Sequence, residues 1–208
     1  MHTDAAQSVG KVPVKVRELG VDLLSMAGHK LYAPKGVGAL YVRRGTPLRP
    51  FVLGAGHEHG LRPGTENVSY IVGLGVACDV ASQDLDERAA CMQRLRDELW
   101  ERLAAQVPGL GLNGDPVRRL PNTLSVRFPD VSGNEVLAGT TAVAASTGSA
   151  CHAGHESAPD VILAMGVTEA EALGTVRLTL GRGTTADDVS HAADALIRSW
   201  RQARSKRR

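Results

Sequence analysis

Lys30 is the residue of this sequence whose position points most directly to covalent chemistry. It ends the tripeptide Gly28-His29-Lys30, which follows a short apolar run, residues 21–25, that we predict to be a buried strand. A lysine held at a strand end among apolar neighbours can be partly desolvated, which favours the neutral amine that attacks carbonyl carbons. The alternative is an ordinary surface lysine in a turn, because short lysine-containing motifs are common.

Asp4 and Gln7 stand near the end of an earlier predicted strand. Both side chains are therefore expected at the same edge of the sheet as Lys30, which is the edge where open α/β sheets bind ligands. A carboxylate there would keep a pyridine nitrogen protonated, and a protonated pyridine ring stabilises a carbanion attached to it. The alternative is that Asp4 caps a turn or a helix.

Cys151 lies in a loop of small residues, with His152 and His155 close by in the sequence. A thiol in such a loop can become a reactive thiolate beside a positive or hydrogen-bonding neighbour, and an inert loop thiol is the alternative. Cys78 and Cys91 lie on helical patterns, so we predict that they are small buried hydrophobic residues. No metal site is predicted here, because the spacing provides neither a second cysteine pair nor a helical His-x-x-x-His arrangement.

Arg177 stands inside an apolar run, residues 176–180, that we predict to be a strand. A buried guanidinium needs a carboxylate partner, and the carboxylate of a substrate would satisfy it. The alternative is an edge strand whose arginine faces water.

The stretch Arg62-Pro63-Gly64-Thr65-Glu66-Asn67 precedes a helical pattern, with Thr65 as a plausible cap. The free amide groups at a helix start attract phosphate. Most helix starts are simply capped, so this stretch alone is a weak indication of a phosphate site.

Strands and helices alternate along the chain, and this order predicts an α/β fold. Two helices from residue 66 to residue 103 are expected to meet near Asp84, among acidic residues. We place the domain boundary there, which gives domains of residues 1–83 and 84–208. The remaining predicted strands are residues 37–42, 124–128 and 143–146, and the remaining predicted helices are residues 158–165 and 186–201.

Composition excludes several classes of protein. With 208 residues and 43% hydrophobic content the chain can bury a sizeable core. The formal net charge is +2 and no basic field precedes residues 201–208, so nucleic acid is not an expected partner. No membrane span and no signal peptide are recognised, which makes the cytoplasm the expected compartment. Three widely spaced cysteines do not form a disulfide framework.

Taken together and in order, five stretches of the sequence resemble the cysteine desulfurases. This resemblance implies the pyridoxal-phosphate-dependent transferase fold of class V aminotransferases, which is type I aminotransferase-like, with a large cofactor domain, a small C-terminal α/β domain and assembly as a homodimer. The stretches are residues 2–7, residues 28–41, residues 62–67, Gly148-Ser149-Ala150-Cys151 and Val176-Arg177-Leu178-Thr179-Leu180-Gly181-Arg182.

The resemblance also assigns roles in holding pyridoxal 5'-phosphate. Lys30 would carry the cofactor as its aldimine lysine, and Asp4 would contact the pyridinium nitrogen. Gln7 would contact the ring oxygen and His29 the phosphate. Thr65 would reach the phosphate of the cofactor in the neighbouring subunit.

The substrate implied by the resemblance is L-cysteine. Cys151 would attack its sulfur and keep that sulfur as a persulfide while alanine is released, and Arg177 would hold the substrate carboxylate. A sulfur-acceptor protein would then take the sulfur, for iron-sulfur cluster assembly, thiolated RNA or another pathway.

Three departures from the family pattern leave alternatives open. Ala27 stands where many members have serine, which removes one hydroxyl from the phosphate site. The stretches around Lys30 and Thr65 also look like those of selenocysteine lyases, so selenocysteine is an alternative substrate. The family has a long N-terminal segment that supplies the first half of the cofactor domain, so the large domain here is expected to be incomplete. A non-catalytic truncated fragment or a sulfur-carrier module is therefore a further alternative.

Overall fold

The chain divides into two units, Met1–Glu87 and Arg88–Arg208. The computed structural model describes residues 1–148 and 157–207. The boundary that we place from the sequence lies between residues 83 and 84. Each unit has its own sheet and its own hydrophobic core.

The sheet of the first unit contains strands β1 (His2–Asp4), β2 (Leu23–Ala27) and β3 (Gly38–Val42), in that spatial order. β1 pairs with β2 in parallel, with Asp4 opposite Ser25, whereas β2 and β3 are antiparallel. Parallel pairing brings the carboxyl ends of β1 and β2 to the same edge of the sheet. The residues that follow each strand therefore start from neighbouring points.

Helices and turns complete the first unit. Helix α1 (Val16–Leu19) is short, and helix α2 (Val68–Ser82) packs against a 3-10 turn that follows β2. A second 3-10 turn, Glu58–Gly60, lies in the long connection between β3 and α2. The buried cluster of this unit is small, consisting of Ala5, Val21 and Leu24.

Several large apolar side chains of the first unit face solvent. Each of the following is more than half exposed: Phe51, Leu53, Val68, Val72 and Val76. The three valines stand four residues apart on α2, so they form one exposed apolar strip on that helix.

The second unit has an antiparallel sheet of strands β4 (Gly111–Leu112), β5 (Thr123–Arg127) and β6 (Thr175–Thr179), in the order β4-β5-β6. Two long helices, α3 (Leu85–Gln106) and α7 (Ala186–Ser205), contribute to its core. The shorter helices are α4 (Gly133–Ala138), α5 (Asp160–Leu163) and α6 (Glu169–Leu173).

One hydrophobic cluster joins the sheet and the long helices of the second unit. In α3, Leu95, Leu99 and Leu103 recur at helical spacing and are buried, so they form one apolar face. In β5 and β6, Val126 and Val176 are fully buried, which agrees with the alternation expected of strands with one face on a core.

Three helices of the second unit begin with a capping box, in which a side chain at the cap and the third helical residue satisfy each other's backbone amides. Of these helices, α4 and α6 are not among the predicted ones. Their signal is present in the sequence as Ser or Thr followed three residues later by an acidic residue. The pairs are Ser132 with Glu135, Thr168 with Glu171, and Thr185 with Asp188.

The predicted strand at residues 143–146 and the predicted burial of Cys78 and Cys91 are wrong. The predicted strand at residues 143–146 is reduced to one isolated bridge between Ser146 and Arg177, because this alanine-rich segment offers few of the side chains that stabilise strand pairs. Cys91 is exposed and Cys78 only partly buried, since the apolar face of α3 passes through Met92 and Leu95 and leaves Cys91 beside it.

The capping box of α7 predicts an acid-sensitive contribution to stability. Hydrogen bonds from the Thr185 backbone amide and hydroxyl, both 2.8 Å, hold the pKa of Asp188 below its ordinary value. The carboxylate therefore stabilises the fold above the unfolded pKa, about 4, and this stabilisation is lost as the pH falls through the lowered folded pKa. We expect Asp188→Asn to be less stable than the wild type at pH 7 in urea unfolding, and the difference to shrink in acid.

The matched control is Asp194→Asn, which changes an exposed carboxylate in the middle of the same helix. Its stability difference should be small at both ends of the pH range. A difference for Asp188→Asn that persists unchanged at low pH would contradict the assignment.

Candidate functional site

Lys30 lies on a 3-10 turn, Gly28–Leu31, that begins directly after β2. The buried Gly28 donates its amide hydrogen to the Val37 carbonyl over 2.9 Å, and a Cβ at Gly28 would stand 2.7 Å from that oxygen. The turn therefore needs glycine at its first position. Tyr32 ends the turn in a left-handed conformation and donates to the Gly28 carbonyl. His29 and Lys30 are exposed beside each other.

Lys11 is a residue of this site that sequence reasoning missed. It ends the turn after β1, is only 9% exposed, and donates from Nζ to the main-chain oxygen of Lys30 over 3.1 Å. Burial lowers the pKa of Lys11, and the nearby charge of Lys30 lowers it further. Lysine is mostly exposed in proteins, so a single lysine in a predicted loop gave no signal of burial.

Asp4 and Gln7 follow the neighbouring strand. Asp4 Oδ1 accepts a hydrogen bond from the Ala6 amide over 2.9 Å, so the turn-capping role that we kept as an alternative is present. Its other oxygen, Oδ2, forms no hydrogen bond with any residue that the structure describes. Gln7 is exposed in the turn that leads to Lys11. The carboxylate can thus cap the turn and still accept from a ligand.

Thr65 does not cap the helix after it, so that prediction is wrong. α2 begins at Val68, and Asn67 is the cap, accepting from the Tyr70 amide over 3.3 Å. Asn67 is adjacent to the first helical residue, whereas Thr65 is two positions further back and cannot act at that place. Thr65 is exposed in the preceding loop, and its phosphate contact stays a prediction.

Arg177 lies on β6 of the second unit with its side chain exposed, between the buried Val176 and Leu178. It thus follows the water-facing alternative. No described carboxylate, in residues 1–148 or 157–207, pairs with its guanidinium, which leaves it available to an anionic ligand. Two backbone hydrogen bonds join Arg177 to Ser146.

The cysteine loop begins just after Ser146. Cys151, together with His152 and His155, lies outside the described residues. Ser146 and Gly148 are described up to the loop, and the Gly148 amide donates to Ser146 Oγ over 3.0 Å. The segment that leads into the loop therefore starts beside Arg177.

Four of the predicted residues follow two strands that end at the same edge of the sheet in the first unit. Asp4 and Gln7 follow β1, and His29 and Lys30 follow β2, at the shared edge of a parallel pair. An amine, a carboxylate, an amide and an imidazole at one edge can bind a ligand that combines an aldehyde, a ring nitrogen and an anionic group.

Two classes of site are not found in the described part of the chain. No helix there is long and apolar enough to cross a membrane. No group of three His, Cys, Asp or Glu side chains among those residues is placed to hold a metal ion.

Comparison with known proteins identifies the family of this chain. The model of the aminotransferase class-V family matches residues 1–191, and the chain belongs to that family. The family and the α/β fold class that the motifs predict are thereby confirmed.

Named relatives narrow the resemblance within the family. The chain is 44% identical over 197 residues to a cysteine desulfurase of Gluconacetobacter diazotrophicus, covering 94% of this chain and 49% of that relative. It is 44% identical to the cysteine desulfurase NifS of Azotobacter vinelandii, covering 90% and 47%. A solved structure described as a NifS-like protein matches with a TM-score of 0.84 and 35% identity, covering 95% and 51%. The chain spans about half the length of these relatives.

The charge coupling between Lys11 and Lys30 is testable without any ligand. The Lys30 charge lowers the pKa of Lys11, so Lys30→Met should raise the pKa of Lys11. The rise should be incomplete, because burial is the larger cause and is unchanged. Competitive acetylation over a pH series, read by mass spectrometry, resolves each of the five lysines.

Lys35→Met is the matched control, since it removes a lysine from the exposed turn before β3. It should leave the Lys11 titration unchanged. A Lys11 pKa that is the same in the wild type and in Lys30→Met would show that the two amines do not interact.

Proposed function

We propose that this chain binds pyridoxal 5'-phosphate at Lys30 and removes sulfur from L-cysteine, as a cysteine desulfurase. The observation that carries the proposal is the shared edge of β1 and β2, from which Lys30 and Asp4 both arise. The names of the relatives at 44% identity support the choice of substrate.

The donor set fits the cofactor group by group. The exposed Lys30 amine suits the aldehyde. Asp4 Oδ2, which has no hydrogen-bond partner among the described residues, suits the ring nitrogen. Gln7 suits the ring oxygen, and His29 suits the phosphate. When bound, the protonated ring supplies an electron sink for a carbanion at the substrate α-carbon.

The residues of the chain then have distinct tasks. Lys30 holds the cofactor and moves protons at the substrate carbons, while Asp4 keeps the ring nitrogen protonated. Arg177 binds the substrate carboxylate through its guanidinium, which pairs with no carboxylate of residues 1–148 or 157–207. The Cys151 thiolate bonds to the substrate sulfur, the carbon–sulfur bond breaks with its electron pair on carbon, and a proton on that carbon completes alanine. The sulfur stays on Cys151 as a persulfide.

A homodimer is the proposed assembly. The exposed apolar side chains of the first unit, such as Phe51 and Val72, suit a subunit interface. Thr65 lies, like Phe51, in the long connection between β3 and α2, and would reach the cofactor phosphate of the neighbouring subunit. The two free cysteines in the described residues suit a reducing compartment, and the cytoplasm is the proposed location. The proposed final partner is a sulfur-acceptor protein, with iron-sulfur cluster assembly as the proposed pathway.

A sulfur-carrier module is the second candidate. The second unit has its own extensive core, and the chain spans about half the length of its relatives. In that case Cys151 would accept and pass on sulfur without a cofactor on Lys30. Selenocysteine in place of cysteine is the remaining question of substrate.

Variants at the two reactive residues separate cofactor binding from sulfur transfer. The chain should be assayed alone and with a polypeptide covering the N-terminal half of the Gluconacetobacter diazotrophicus relative. We expect the absorbance band of bound cofactor in the wild type and in Cys151→Ser, but not in Lys30→Ala. With a dithiol present to reduce the persulfide, sulfide and alanine should form from cysteine with the wild type but not with Lys30→Ala. Cys151→Ser should lower the rate about a thousandfold, because the thiol that accepts the sulfur is gone.

Cys91→Ser is the matched control, because Cys91 is an exposed thiol on a helix. It should keep both the band and the activity. Sulfide production by Cys151→Ser at the wild-type rate would refute the role of Cys151. Persulfide on Cys151 in a chain that never shows the band would favour the carrier, and faster turnover of selenocysteine would change the substrate.

A further inference from the structure

We propose that Lys11 is a positioning residue that fixes the main chain of Lys30, so that the Lys30 amine meets the cofactor aldehyde in one orientation. This inference rests on the proposed function. Lys11 touches neither substrate nor cofactor in this account. It acts through the hydrogen bond from its Nζ to the Lys30 carbonyl oxygen, 3.1 Å long.

That hydrogen bond joins the two loops that carry the site. Lys11 ends the turn after β1, and Lys30 lies in the turn after β2, 19 residues further along the chain. The sheet already places the starts of both loops together, and the Lys11 side chain ties them again beyond the strand ends. The hydrogen bond thereby fixes the loop that contains Gln7 relative to the loop that contains His29.

The backbone of the first loop is itself well fixed. The amides of Lys11 and Val12 both donate to the Ser8 carbonyl, over 3.0 and 3.1 Å, and the Ser8 amide donates to the Ala5 carbonyl over 3.0 Å. These bonds give Lys11 a defined starting point at the end of a tight turn. The reach of its side chain to Lys30 is therefore set by the fold.

Gly10 allows this loop to press against the lysine turn. Its φ is +72°, and a Cβ there would stand 2.6 Å from Leu31 Cδ2 and 3.1 Å from the Ala81 side chain. A larger residue would push Lys11 away from Lys30. Close packing at Gly10 and the hydrogen bond at Lys11 thus act on adjacent residues of the same turn, Leu31 and Lys30.

Burying Lys11 costs free energy, so we infer that this side chain does more than fill space. A partly buried ammonium group loses some of its hydration, and the Lys30 charge nearby adds repulsion; together they lower the pKa of Lys11. An apolar side chain would fill the same space without that cost. What lysine adds is a long reach and a donor for the Lys30 carbonyl.

Three variants test the role of Lys11. Lys11→Met keeps the apolar stem and removes the donor, Lys11→Arg keeps a donor, and Lys15→Met removes an exposed lysine that pairs only locally with Glu18. The first measurement is amide hydrogen exchange at Tyr32 and Ala33, whose amides donate to the Gly28 carbonyl within the lysine turn. Loss of a charged hydrogen bond should speed this exchange about tenfold in Lys11→Met alone.

The second measurement is the initial rate at which pyridoxal phosphate is fixed on Lys30 by borohydride, relative to Lys35 in the same sample. We expect the Lys30 preference of the wild type to fall about tenfold in Lys11→Met, to persist in Lys15→Met, and to return in Lys11→Arg. Thermal unfolding of each variant shows how much of the chain is folded during the reaction.

The outcomes separate this inference from the proposed function. No preference for Lys30 in the wild type would refute cofactor binding at Lys30, and the positioning role with it. A wild-type preference that Lys11→Met retains would overturn the positioning role alone. A lost preference with unchanged exchange at Tyr32 and Ala33 would also overturn it, since Lys11 would then act through its charge and not by holding the turn.

Discussion

The site depends on the parallel pairing of β1 with β2. With Asp4 opposite Ser25, the chain leaves both strands at one edge of the sheet, and the Ala5 amide still donates to the Ser25 carbonyl over 2.9 Å. The strand pairing alone therefore places Asp4 and the start of the turn that carries Lys30 at the same edge of the sheet. A shift of register by one residue would turn Asp4 to the other face and separate it from Lys30.

Close contacts beyond the strand ends further fix the positions of the loops that follow β1 and β2. Gly28 admits the Val37 carbonyl at the start of the lysine turn, and Gly10 admits the Leu31 side chain. Lys11 then joins the two loops through the Lys30 carbonyl. This arrangement leaves a partly buried ammonium group on Lys11, while the Lys30 amine stays exposed on a main chain that accepts the Lys11 hydrogen bond. In the second unit, a separate core presents Arg177 on the solvent face of β6.

The sequence predicted what depends on local order and composition. Lys30 after a strand, the two helices meeting near Asp84, and the α/β class all follow from apolar periodicity and from the positions of glycine and proline. Other features were predicted wrongly or not at all. Residues 143–146 have a strand-like pattern but meet β6 only at Ser146, and Asn67 displaced Thr65 as the cap of α2. Lys11 was missed because its burial results from packing between two loops that are distant in sequence.

We propose that Asp4 and Lys30 bind one ligand at the shared edge of β1 and β2. The most direct test measures the ¹⁵N chemical shift of the ring nitrogen in labelled pyridoxal phosphate bound to the wild type and to Asp4→Asn. Where binding requires it, the N-terminal half of the Gluconacetobacter diazotrophicus relative is added. A carboxylate stabilises the protonated ring and a neutral amide does not, so we predict a pyridinium shift at pH 7 in the wild type and an unprotonated shift in the variant. The same shift in both proteins would contradict the account.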